Sequence, residues 1–352
     1  MRHVGFAGLA ILLLACGCGS PDQVSKEAPS GSSPANSPAA AKPLKIGIMF
    51  DSGGLGDKSF NDSAQRGIER AIKDFGVIET KVNTQQTKDY EPNLTVLSEK
   101  DLDLVIAVGI NTRAAVEKIA PQYPKVKYAI IDDEVKQPNV RSLKFKEEEG
   151  SFLAGYLAGL MSKSGKVGFI GGMEIPLIKK FECGYFAGAK TANPKIDTLP
   201  AKYTGSWDDT DKAKAAADVL FGGGADIVYA AAGRCGLGAL KSANDRGLYA
   251  IGVDSDQDYL YPGHVLTSMV KHVDEAVYQT IKDIKDGHFT ADTKVYDLKE
   301  NGVGLSDMQY TKDKIGQANL DKVKAVAAKI ESGALQVPST EDALKTYDST
   351  LK

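Results

Sequence analysis

The run Gly53-Gly54-Leu55-Gly56-Asp57-Lys58-Ser59-Phe60-Asn61 holds the densest group of chemically useful side chains in the sequence. It combines glycines for tight backbone, a carboxylate, an amide and an aromatic ring. An apolar run at 44–50 precedes it and closes on Asp51; apolar residues at helical spacing, Ala64, Ile68, Ala71 and Ile72, follow it. The stretch is therefore a strand-to-helix loop, the place where open α/β sheets bind ligands. Its mixture suits a small polar ligand with a flat ring. Asp51 either accepts hydrogen bonds from ligand hydroxyls and ring N–H groups or caps the following helix. Asn61 has the same two roles open to it, and Phe60 is either a stacking face or a core ring. A phosphate loop is disfavoured, because such loops carry Gly immediately before their Lys. Here Asp57 precedes Lys58, and its charge repels phosphate.

The elements that must position these residues follow a repeating rhythm. Strand-like runs at 44–50, 103–108, 126–131 and 140–145 alternate with amphipathic stretches near 59–75, 88–99 and 112–120. A second series has strand-like runs at 166–171, 199–203, 226–232 and 249–253, with helix-like stretches near 178–190, 209–221 and 236–247. Short apolar strands alternating with helices of this length predict parallel βαβ units. Two such series predict two doubly wound lobes with a cleft between them. Residues 147–162 read as a helix joining the halves. Its acidic start suits a helix N-terminus, and Ala154, Gly155, Ala158 and Gly159 allow close packing.

Strand C-termini should face the cleft. That selects Asp132, with Asp133 beside it, after Ile130-Ile131; Tyr229; Gly233, whose backbone allows close approach to a ligand; Asp254; and Lys271. Trp207, the only tryptophan, is either a further wall or a surface aromatic.

The first residues address the chain to the cell envelope. Arg2 and an apolar run at 4–15 form a secretory signal too short for a membrane span. Leu13-Leu14-Ala15-Cys16 resembles a bacterial lipobox, with Cys16 as the lipidated residue and Cys18 as the alternative. Acyl chains such as palmitate would hold the protein at a membrane surface. Residues 1–18 are thus a leader, and 19–43, rich in Ser, Pro, Ala and Gly, a flexible tether. About 310 residues remain, enough for one large or two medium domains. A net charge of −3 speaks against a nucleic-acid-binding surface. Cys183 and Cys235 lie in a compartment that permits oxidation, so they form either a disulfide or two buried thiols.

Several segments together resemble the basic membrane protein / purine nucleoside receptor family, lipoproteins that serve as binding components of ABC transporters. They are Asp57-Lys58-Ser59-Phe60-Asn61, residues 145–159, Gly168-Phe169-Ile170-Gly171-Gly172-Met173, Tyr203-Thr204-Gly205-Ser206-Trp207, Ile251-Gly252-Val253-Asp254-Ser255-Asp256-Gln257 and Val265-Leu266-Thr267-Ser268-Met269-Val270-Lys271. The resemblance implies an α/β type I periplasmic-binding fold, two Rossmann-like lobes with parallel sheets joined by three crossovers. It divides the chain into 44–145 plus 271–298 for one lobe and 146–270 plus 299–352 for the other. It also implies roles: Phe60 and Tyr229 sandwich a purine, Asp132 faces the base, and Asp254 and Lys271 hold the ribose. Arg234 departs from the family, which has small residues between these glycines; it either reaches an acidic ligand or pairs with Asp51 or Asp254.

No enzyme is expected. The histidines, His3, His264, His272 and His288, fall in no Ser/His/Asp or metal-ligand spacing. The expectation is a monomeric, lipid-anchored receptor in a bacterial envelope, facing the extracytoplasmic side. It would deliver a purine nucleoside to an ABC permease without cofactor, metal or nucleic acid. The alternatives are a receptor for another small ligand, such as a sugar-like signal feeding a sensor, and a nucleoside-cleaving enzyme.

Overall fold

In the computed structural model, residues 42–84 and 86–350 are described. The leader at 1–18 with Cys16 and Cys18, and the tether up to residue 41, lie outside them. In chain order the first elements are β1 (Lys45–Phe50), α1 (Phe60–Phe75), β2 (Ile78–Asn83), α2 (Tyr90–Ser98), β3 (Leu104–Ala107), α3 (Arg113–Ile119), β4 (Lys127–Ile131), β5 (Val140–Phe145) and α4 (Glu147–Met161). Next come β6 (Lys166–Gly171), α5 (Pro176–Ala192), β7 (Asp197–Thr198), β8 (Lys202–Tyr203), α6 (Thr210–Gly222), β9 (Ile227–Ala231), α7 (Leu237–Arg246), β10 (Tyr249–Asp254) and β11 (Val265–Lys271). The chain finishes with α8 (Val273–Asp286), β12 (Thr293–Tyr296), β13 (Val303–Leu305), α9 (Lys312–Ile315), α10 (Gln317–Glu331) and α11 (Glu341–Lys345).

Two sheets result. The first has the order β12-β5-β4-β3-β1-β2, every pair parallel. The second runs β13-β11-β10-β9-β6-β7, with β8 also on β6. It is parallel except at its edge, where β13 lies antiparallel to β11. The chain passes between the sheets at Lys146, at His272 and between β12 and β13. In both sheets the strand order reverses beside the first strand of the series: β1 has β2 on one side and β3 on the other, and β6 stands between β7 and β9. The loops after β1, β3, β6 and β9 therefore open into a crevice, as doubly wound sheets require.

The interior strands are buried on both faces and are continuous apolar runs, which is why they stand out in the sequence. β2 does not. It is an edge strand whose exposed and half-buried residues include Glu79 and Lys81, charges that discourage further pairing.

The join between α4 and α5 depends on glycine. A Cβ at Gly155 would lie 1.9 Å from the Tyr185 carbonyl oxygen, and one at Gly188 would lie 2.0 Å from that of Phe152. The two helices touch backbone to backbone, so α4 is held firmly against the second sheet's layer.

Candidate functional site

The loop after β1 is built on Asp57. Its Oδ1 accepts the backbone N–H groups of Ser59 (2.9 Å) and Asp62 (3.1 Å). Its Oδ2 accepts the backbone N–H of Asn61 (2.8 Å) and that residue's Nδ2 (3.1 Å). A carboxylate of the chain itself thus fills the anion-favouring position at the N-terminus of α1. This gives the physical reason why the loop is no phosphate cradle. Asn61 ties the loop back to the strand, its Oδ1 accepting from the Asp51 backbone N–H at 3.1 Å.

Asp51 is buried beneath this loop. Its carboxylate accepts from the Ser52 N–H at 2.7 Å, from Asn111 Nδ2 at 3.2 Å and from the Tyr90 hydroxyl. Burial raises its pKa, against the pull of these donors. Gly109 makes the room: at φ +96° its backbone is left-handed, and a Cβ would come 2.2 Å from Asp51 Oδ2. Tyr90, Asn111 and Gly109 carry no signal of this role in the sequence, because they converge on Asp51 from separate elements.

Asp132 follows β4 and Asp254 ends β10. Both adopt left-handed backbone, φ +72° and +64°. Aspartate tolerates this conformation better than most residues, and such geometry concentrates at functional sites. Lys271, at the end of β11, donates to Asp132 Oδ2 at 2.7 Å. The other oxygen, Asp132 Oδ1, is buried and has no partner. Asp254 Oδ2 accepts from Ser59 Oγ at 2.5 Å, a contact from the first lobe to the second. Burial pushes the Asp254 carboxyl up to about 6, with Lys271 and Ser59 pulling it down. For Lys271, burial acts to lower the pKa, but Asp132, Glu147 and Asp254 outweigh it and the net direction is upward. The ammonium lies 4.7 Å from the Phe60 ring centroid, 5.3 Å from Phe145 and 5.6 Å from Phe181.

Asp51, Phe60, Asn61, Asp132, Trp207, Gly233, Asp254 and Lys271 all line one cavity between the two sheets, together with Arg234. Its empty volume, counting the part open to solvent, is about 590 Å³. Trp207 can lie against the chain after β6 because residue 172 is glycine; a Cβ there would fall 2.4 Å from the indole. The Cys235 N–H holds the Trp207 carbonyl at 2.9 Å.

At three places the structure overturns a sequence expectation or decides between its alternatives. Tyr229 does not line the cavity. It is fully buried in the second lobe, packed on Phe169 and Tyr185 at centroid distances of 5.6 and 5.3 Å, with its hydroxyl 3.4 Å from Ser151 Oγ. The strand continues to Ala231, which shares the face of Tyr229 and does line the cavity; Tyr229 sits two residues short of that end, with its ring buried in the α4 and α5 layer. The rings that the second lobe presents are Trp207 and Phe181. Phe181 was missed because, with Leu177 and Ile178, it has the spacing of an ordinary buried helix face.

The second correction concerns Arg234. It pairs with neither Asp51 nor Asp254, but reaches across the cleft mouth to the Gly53 carbonyl at 3.3 Å. The third concerns the cysteines, where the buried thiols are found and not the disulfide: Cys183 and Cys235 are both free and buried. Cys183 lies within α5, and burial pushes its thiol up to about 12. Cys235 Sγ donates to the Asp209 carbonyl at 2.8 Å.

Further cross-cleft bonds close the same edge. Ser255 Oγ donates to the Ser59 carbonyl at 2.8 Å, and Gln257 Nε2 to the Lys58 carbonyl at 3.0 Å. The cavity therefore lies between lobes that already touch. Among the described residues, no group of three or more His, Cys, Asp and Glu side chains is placed to hold a metal ion.

This architecture recurs in known proteins. A "CD4+ T-cell-stimulating antigen" from Listeria innocua is 33% identical over 93% of this chain and 94% of its own. "Basic membrane protein A1" from Borrelia garinii subsp. bavariensis is 37% identical over 74% of this chain and 79% of its own. The crystal structure of an ABC transporter solute-binding protein from Aeropyrum pernix K1 superposes with a TM-score of 0.77. It shares 30% identity and covers 86% of this chain and 96% of its own. The family described as "ABC transporter substrate-binding protein PnrA-like" matches residues 45–341, and the chain belongs to that family.

Proposed function

We propose that this protein is a lipid-anchored extracytoplasmic receptor that binds a purine nucleoside between its lobes and delivers it to an ABC permease. A nucleoside offers one flat ring, N–H donors on its base and hydroxyl donors on its ribose. The cavity has the complement: rings from both lobes, Phe60 on one side and Trp207 and Phe181 on the other, with carboxylates at Asp51, Asp132 and Asp254. The observation that carries the reading is Asp132 Oδ1, a buried carboxylate oxygen without a partner in a cavity also lined by Phe60. A buried acceptor left empty is costly, and a donor on the base edge relieves that cost. Asp254, as an ionised carboxylate, would accept two ribose hydroxyls.

Membership of the family supports a membrane-bound permease as partner, and the lipobox-like Cys16 supports the anchor. Mass spectrometry of small molecules released by denaturing the purified protein tests the reading, paired with calorimetric titration of guanosine, inosine, adenosine and arabinose. A nucleoside in the released fraction and tight binding of at least one purine nucleoside are expected. Binding of arabinose alone, or of none, overturns the proposal. Incubation with inosine should return it intact, and release of free hypoxanthine would make the protein a hydrolase instead.

A further inference from the structure

Glu147 is the first residue of α4, at the crossing from the first sheet to the second. It is fully buried, yet its position is behind the cavity rather than in its lining. One oxygen, Oε2, accepts from Lys180 Nζ at 2.9 Å, and Lys180 also donates to the Phe145 carbonyl at 3.1 Å. The other, Oε1, has no hydrogen-bond partner, although Lys271 Nζ stands only 3.8 Å away.

The Lys271 ammonium has three donors. One is spent on Asp132 Oδ2. An ammonium resting near Phe60 competes with any base that stacks on that ring, and its bond to Asp132 competes with any donor the ligand brings to that carboxylate. A movement of about 1 Å would give Nζ an ordinary hydrogen bond to Glu147 Oε1. The cluster thus holds two ammonium groups, Lys271 and Lys180, and two carboxylates, each carboxylate with an empty oxygen.

We propose that Glu147 is the second seat of the Lys271 ammonium. On ligand binding, Nζ leaves Asp132 for Glu147 Oε1, Asp132 turns to the ligand, and the interlobe crossing at Glu147 registers occupancy. This rests on the nucleoside reading above. Glu147 is then a positioning residue, acting on the ligand only through Lys271.

The ionisable groups facing Glu147 are Lys271 from β11, Lys180 from α5, Asp132 after β4 and Tyr229 from β9. Burial pushes the Glu147 carboxyl up to about 7, with Lys271 and Lys180 opposing. An ammonium arriving at Oε1 lowers that value, so ligand binding near neutral pH should expel part of a proton.

The test is calorimetric titration of guanosine at pH 7, in buffers of different ionisation enthalpy, into wild type, Glu147→Gln, Lys271→Met and the double variant. Wild type should release about half a proton per ligand, and both single variants should release less. Glu147→Gln should weaken binding roughly tenfold in wild type and not further in the Lys271→Met background. Glu147→Asp, which keeps the charge, should recover part of the loss. Additive losses, or unchanged proton release in Glu147→Gln, overturn the second seat. If wild type binds none of guanosine, inosine and adenosine, the nucleoside reading has failed. Thermal unfolding of the same four proteins then decides the pair: coupled losses retain it and additive losses overturn it.

Discussion

Replacing Asp254 by Asn should stabilise the empty protein while damaging its ligand site. The carboxyl is buried, and its pKa stands at about 6 against an ordinary 3.8. The folded state therefore holds the proton more tightly than the unfolded chain. Stability linked to this group is full below about pH 4 and is lost as pH rises through about 6. The gap between the two values corresponds to about 3 kcal/mol. Asparagine resembles the protonated acid, can still accept from Ser59 Oγ, and tolerates the left-handed backbone at φ +64°. Glu147 and Asp258 also carry raised values, about 7 and about 6, but they are present in both proteins and drop out of the difference.

Thermal unfolding of both proteins between pH 4 and 8, without ligand, measures the effect. Above pH 7 the variant should unfold about 6 °C higher, at about 2 °C per kcal/mol for a chain of this size. Below pH 4 the curves should converge. A variant that is less stable at pH 8, or a difference independent of pH, refutes the reasoning. Under the proposed function the same variant should bind inosine far more weakly while its affinity for hypoxanthine changes little; equal losses would remove Asp254 from ribose recognition.

Phe60→Ala should weaken nucleoside binding by roughly one to two orders of magnitude, from about 1–3 kcal/mol of stacking; an unchanged Kd by calorimetry removes the ring from the site. Gly155→Ala sets a Cβ against the Tyr185 carbonyl, at 1.9 Å before relaxation. It should cost about 3 kcal/mol or more, seen as a lower denaturant midpoint, and a neutral result would mean that α4 and α5 separate easily. For the folded domain without reductant, a thiol reagent should find both Cys183 and Cys235 after unfolding and neither before it; no thiols after unfolding would reveal a disulfide.

The fold was legible because parallel interior strands bury both faces and so appear as unbroken apolar runs, spaced by helical stretches. The edge strand β2 was not, since an exposed edge keeps its charges and loses that pattern. Asp51, Asp132, Asp254 and Lys271 were found by one rule, that the ends of such strands face the crevice. The same rule failed at Tyr229, because β9 ends two residues later, at Ala231 on the same face, and Tyr229 stays buried behind that end. Only the tertiary structure could remove Tyr229, decide Trp207 as a wall and add Phe181, rings that arrive from a loop and a helix distant in sequence. It alone showed Cys183 and Cys235 as separate thiols, and gave Asp51 its Tyr90 and Asn111 donors. Local pattern records which face a residue buries, so the chain by itself determined its strands, helices and lobes. Which buried groups meet, and which oxygen atoms at Asp132 and Glu147 remain empty, depends on packing between elements, and no local pattern carries that.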